Sequence, residues 1–282
     1  MRIGGWGRRL HAVALTPVAA AVVLALQTPA VAAPSESDVP VSPAGVDISH
    51  PQCEAELPDE RAFTVVGVNG GVATKANPCL ADQLAWAWES NGSVREQPPA
   101  QLYVNTANPG QVRGLVTTWP SAGVTPYGRC DGENSPACSW RYGYERARDS
   151  VTDYFVPAAR EAEVSSLASS YTWWLDVETS NTWQNGSDDA RARNRAAIEG
   201  MAAYLDSRGA DVGVYSTGRQ WAQIVGSVPD DSSLAGLPSW LAGSTSLAEA
   251  VAACELPPLV PEGRVTLTQY VPDDLDRNHS CG

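Results

Sequence analysis

Short apolar runs alternate along this chain with stretches whose apolar residues return every three or four positions. Runs at 45–49, 63–69, 101–105, 172–178, 211–216, 238–242 and 265–270 predict strands. Several are apolar at nearly every position, as strands covered on both faces must be. Between them the helical period takes over. Residues 80–89 predict a helix that stops before Asn91-Gly92, and 188–207 predict a longer one. There, Ser187 can cap the first turn, Asp188 and Asp189 suit its positive end, and Gly209 follows the last turn. Its Ile198, Met201, Ala202 and Leu205 repeat at i, i+3, i+4 and i+7, the stripe of a helix laid on a sheet. Segments 220–225 and 247–253 predict shorter helices.

Strand–helix alternation sustained over 45–282 predicts an α/β fold with a parallel sheet and crossover helices. The length suits a single closed TIM-like (β/α) barrel, for which ~250 residues is typical. An eighth strand lies near Val124-Thr125-Pro126-Tyr127 or is missing. The competing architecture is an open doubly wound sheet with a glycine-rich turn after its first strand, but His50-Pro51-Gln52 stands there. Residues 108–144, rich in Gly and Pro, predict an elaborated loop at one rim.

The N-terminus changes the picture. Arg8-Arg9, the apolar run 12–26 and Ala30-Val31-Ala32-Ala33 read as an export signal cleaved after Ala32 or Ala33. The apolar run is short of the ~20 residues that a membrane-spanning helix needs. Residues 34–44 read as a Pro/Ser/Val-rich linker to the barrel domain, 45–282. The expected product is secreted, monomeric and free of the membrane.

The whole chain has 19 basic and 32 acidic residues, a formal charge of −13. Without the three arginines of residues 1–33, 16 basic residues face 32 acidic ones, a net −16. Such a body is repelled by phosphate backbones and anionic lipid heads, which argues against nucleic acid and membrane partners. With three His in all and no C-x-x-C pair, the chain offers no metal-site pattern, and no cofactor is expected. All six cysteines follow the cleavage point, and an even number in an exported chain implies disulfides. Six allow fifteen pairings. Proximity favours Cys53–Cys79, Cys130–Cys138 and Cys254–Cys281.

The strongest chemical signal is Trp173-Trp174-Leu175-Asp176-Val177-Glu178. Strand side chains alternate, so Trp174, Asp176 and Glu178 share one face and the apolar residues Trp173, Leu175 and Val177 the other. That places two carboxylates near the C-terminal end of a barrel strand, where reacting groups collect. Neighbouring carboxylates cannot both ionise cheaply, so one pKa should rise, as a general acid requires. Asp47 repeats this logic on the first strand, and Asp273-Asp274-Leu275-Asp276 adds a third acidic group after the last. An acid in so short an apolar strand as Asp47's is either functional or paired to a buried arginine. No G-x-S-x-G elbow, phosphate-binding loop or dinucleotide glycine pattern occurs. Ten Trp, against two Phe, supply flat faces suited to sugar rings.

These motifs resemble the family 25 glycoside hydrolases, lysozymes with a barrel fold that cleave peptidoglycan glycan strands, or a divergent branch of them. Gly45-Val46-Asp47-Ile48-Ser49 with Gln52 is similar to the family's opening strand, and Leu175-Asp176-Val177-Glu178 to its central acid pair. Gly213-Val214-Tyr215-Ser216-Thr217, Gln269-Tyr270 and Leu275-Asp276-Arg277-Asn278 are similar to later strands and the last acid. The resemblance implies a cell-wall glycan substrate. It makes Glu178 the proton donor, Asp176 its support, and Asp47 and Asp276 the groups that orient substrate or water. Trp174, Tyr215, Gln269, Tyr270 and Asn105 are the expected sugar contacts. Altered second and third strands leave a second function, a glycan-binding barrel without catalysis.

Overall fold

The computed structural model describes residues 44–272 and 275–282. The expected export signal (1–33), the linker (34–44, except Ala44) and Asp273-Asp274 lie outside them. The first elements are β1 (Gly45–Ile48), β2 (Thr64–Gly67), α1 (Leu80–Trp88) and β3 (Ala100–Asn105). A small ribbon of β4 (Gly123–Thr125) and β5 (Gly128–Cys130) precedes α2 (Pro136–Asp149) and α3 (Val156–Glu161). Then come β6 (Thr172–Asp176), α4 (Asp188–Ser207), β7 (Asp211–Ser216) and α5 (Gly218–Ile224). The last are β8 (Ser239–Ser244), α6 (Leu247–Ala253), β9 (Val265–Tyr270) and β10 (Arg277–Ser280).

Eight strands close a barrel in the order β1-β10-β9-β8-β7-β6-β3-β2. The seven predicted strands pair in parallel. The eighth is β10, antiparallel to both β1 and β9, which corrects the expected position near 124–127. Its Arg-Asn-His-Ser sequence has no apolar residue, so the hydrophobic pattern is silent there. Residues 123–130 form the separate β4–β5 ribbon instead.

A second correction concerns 108–144. This segment is not a loop throughout: α2 begins at Pro136, capped by Ser135, whose hydroxyl accepts from the Cys138 N–H. It runs through a π turn at Ser150–Phe155 into α3. Its inner face is built of Ala137, Cys138, Ser139, Tyr142, Gly143 and Arg146, mostly small or polar, so no apolar stripe announces it.

Strand parity divides the core in two. Trp173, Leu175 and Val177 pack outward among the helices, with Ile198, Met201, Ala202 and Leu205 of α4. Trp174, Phe63, Val65, Trp240 and Leu267 fill the barrel interior. Bulky rings there require glycine opposite: a Cβ on Gly213 would sit 2.3 Å from the Trp174 ring. The three favoured disulfides all form, and Cys254–Cys281 ties the chain end beyond β10 to the end of α6.

Candidate active site

Parallel strands bring their C-terminal ends to one mouth of the barrel, and all four expected acids stand at it. Asp47 is the third residue of β1, and Asp176 ends β6. Glu178 follows two residues beyond β6. Because β10 is antiparallel, it starts where the others end, so Asp276, just before it, joins the same rim. The Asp47 N–H donates to the Asp276 carbonyl at 3.2 Å. The four carboxyls line one pocket of about 100 Å³ together with Tyr103, Tyr215, Trp240 and Gln269.

Sheet register decides the hydrogen bonds. Asn278 and Gln269 are paired across β10 and β9, and both face Asp47. Asn278 Nδ2 donates to Asp47 Oδ2 at 2.7 Å. Gln269 Nε2 donates to both Asp47 oxygens, at 3.0 and 3.2 Å, and lies 3.4 Å from Asp276 Oδ2. Gln269 Oε1 in turn accepts from the Tyr215 hydroxyl at 2.8 Å. Asn105 is in register with Asp176, and its Nδ2 donates to Asp176 Oδ2 at 2.6 Å. Among the described residues the other Asp176 oxygen, Oδ1, is buried without a partner, and so is Trp240 Nε1.

Among the described residues, none of the four acids has an Arg or Lys within ion-pair distance. The buried arginine that would have made Asp47 structural is therefore missing from it. Burial, followed by the charge of Asp276, pushes Asp47 from its usual 3.8 to about 7. Its bonds from Asn278 and Gln269 favour the ionised form and work against that rise. Burial and then the Glu178 charge hold Asp176 well above the carboxylate range. Glu178 is raised by burial and by Asp276, and the Gln220 amide partly offsets this. Asp276 is raised by burial. Tyr215 is pushed far above its ordinary value by burial and all four acids, so its hydroxyl remains a donor at neutral pH. The mouth thus holds carboxyl protons that can be given away.

The other expected contacts are redistributed. Tyr215 and Gln269 line the pocket. Trp174 does not: it is 2% exposed inside the barrel, its Nε1 bonded to Gln101 Oε1 at 2.8 Å, so it supports the floor and cannot stack on a sugar. Tyr270 is adjacent to Gln269, and alternation along β9 turns it to the outer face. Asn105 holds Asp176 and does not line the pocket. Tyr103 and Trp240 were missed, because strands apolar on both faces carry no alternation to mark the inward set. Cys130, Glu133 and Cys138 come within ligand distance of one another, but the two sulfurs are bonded to each other.

A protein family described as lysozyme-like protein 1 (Lys-1) matches residues 161–246, which include β6 and both central acids. No curated protein matches the sequence. Among solved structures, a muramidase from Trichobolus zukalii superposes with a TM-score of 0.52 at 16% identity, over 86% of this chain and 94% of that one. A bacterial lysozyme from Streptomyces coelicolor aligns at 19% identity over 85% of this chain and 92% of that one, with a TM-score of 0.47. The chain is lysozyme-like in sequence over the matched segment, and the muramidase shares its barrel fold.

Proposed function

We propose that this protein is a secreted glycoside hydrolase that cleaves peptidoglycan or a related polysaccharide by carboxyl-group acid catalysis. One observation carries the reading: four carboxyls, with no countercation among the described residues, crowd a small pocket at the strand ends. Such a cluster keeps protons at neutral pH and attracts developing positive charge. Glu178, half-buried at the rim, gives its proton to the glycosidic oxygen as the bond to the anomeric carbon breaks. Asp176, deeper and hydrogen-bonded to Asn105, faces the positive charge that forms on the sugar, while burial and the nearby Asp276 raise Glu178's proton affinity. Water then adds to the anomeric carbon and returns a proton to a carboxylate. Asp47 and Asp276, joined through Gln269, orient substrate or water.

Asp176 and Trp240, which line the pocket, each carry a buried atom with no partner among the described residues, Oδ1 and Nε1. With Asp176 protonated both are donors, and the acetamido carbonyl of an N-acetylated sugar is a matching acceptor. The muramidase that shares the fold supports the same substrate class. Three disulfides suit an oxidising compartment, in keeping with residues 1–33 as an export signal and with a monomer released outside the cell. The test is release of reducing ends from purified cell walls. Wild type should release them, and Glu178→Gln should be slower by about 10²-fold or more while keeping the same Tm. Equal, background release by the two proteins would remove the hydrolase and leave a glycan-binding barrel.

A further inference from the structure

A second cleft, of about 350 Å³, opens on the same rim. Its walls come from the turn after β2 (Val72, Thr74), the segment after β3 (Leu115, Val116) and the loop after β6 (Asn181). It adjoins the acid pocket through the backbone. Thr106 donates to the Asp176 carbonyl from N and Oγ1, at 3.2 and 2.5 Å, and the next residue, Ala107, lines the cleft. The Asn181 N–H donates to the Glu178 carbonyl at 3.2 Å. Three residues span at most about 10 Å, so the backbone of the cleft wall at Asn181 lies within that distance of the backbone of Glu178.

The cleft's chemistry differs from that of the acid pocket. No residue lining it is charged. Leu115, 86% exposed, and Val72, 48% exposed, present apolar surface to solvent at its edge. Asn181 Nδ2 is buried and has no acceptor among the described residues, an unmet donor that favours a ligand carbonyl. Sugars dock on open aromatic faces, but the one ring in this wall, Tyr142, is 2% exposed and stacked on Trp119 with centroids 5.7 Å apart. Small uncharged amino acids, with methyl groups and amide carbonyls, fit such a surface better than a further sugar.

We infer that this cleft binds the first small, uncharged residues of the peptide carried by the glycan strand, while the acids hold the sugar from which that peptide branches. This rests on the glycan reading above and adds that the preferred substrate is a peptide-bearing glycan. Calorimetry with Glu178→Gln, which holds ligand without turnover, tests it directly. The probes are a peptidoglycan disaccharide carrying a dipeptide and the same disaccharide without it. The peptide should tighten binding by about tenfold, and Thr74→Trp, at an exposed position that fills the cleft, should cut the gain to about threefold or less. Asn181→Leu, which removes the unmet donor, should reduce it too. Equal affinity for the two probes overturns the inference and leaves the glycan reading standing. So does a peptide gain untouched by both substitutions. Binding of neither probe removes both readings. A peptide gain in a protein whose wild type releases no reducing ends keeps the cleft and discards the hydrolase.

Discussion

Asp47 accepts hydrogen bonds from Gln269 and Asn278, yet faces Asp276 across the same amide and is 7% exposed. Its carboxyl titrates near 7 in the folded chain against 3.8 as the usual value. A group raised in this way favours folding fully below its unfolded pKa. That contribution is lost as pH rises from about 4 towards 7, because the native state holds on to a proton that the unfolded state releases. Thermal unfolding should therefore show Tm falling across this window. Asp47→Asn, which keeps the shape and removes the charge, should flatten the fall and melt higher than wild type at pH 8. An unchanged slope would mean that Asp47 ionises freely. At this scale the sequence was informative where an acid interrupts an apolar strand, as at Asp47 and Asp176. It was silent on their partners, because Asn105, Gln269 and Asn278 acquire their roles from register across strands far apart in the chain.

Among the elements, α2 and α4 cross so closely that side chains are excluded between them. A Cβ on Gly143 would come within 1.8 Å of the Ala197 carbonyl oxygen, and one on Gly200 within 2.0 Å of the Trp140 carbonyl oxygen. Backbone cannot yield as a side chain can. Gly143→Ala or Gly200→Ala should cost about 1–3 kcal/mol or more, read as a drop in Tm or denaturant midpoint. Gly218→Ala, with nothing near the added methyl, should be neutral or slightly stabilising. If all three behave alike, close packing does not hold this pair. Gly143, with Ala137 and Ser139, explains why α2 was hidden in the sequence: its side of the crossing is built of small residues, which leave no apolar stripe like that of α4. Helix α4 was legible because it follows every local rule at once, including the Ser187 cap on the Ala190 N–H. β10 was illegible for the opposite reason, since it joins the barrel by register and hydrogen bonding with polar residues alone.

For the whole molecule, barrel closure is what turns scattered acids into a site. Residues 47, 176, 178 and 276 reach one pocket only because β1 and β9 are joined by an antiparallel strand that starts at the mouth, which keeps Asp276, just before it, at that rim. Barrel and acids could be anticipated from alternation and strand ends; the second cleft could not, because it is walled by loops whose shape no period encodes. The central claim is that these carboxyls share protons at neutral pH. Following the carboxyl carbons of isotopically labelled Asp and Glu by NMR across pH 3–9 tests it most directly. The account predicts one aspartate titrating near pH 7, its signal absent in Asp47→Asn, with Asp176, Glu178 and Asp276 all above their ordinary values. Carboxyls that all complete their titration in the usual range, below about pH 5, would contradict it.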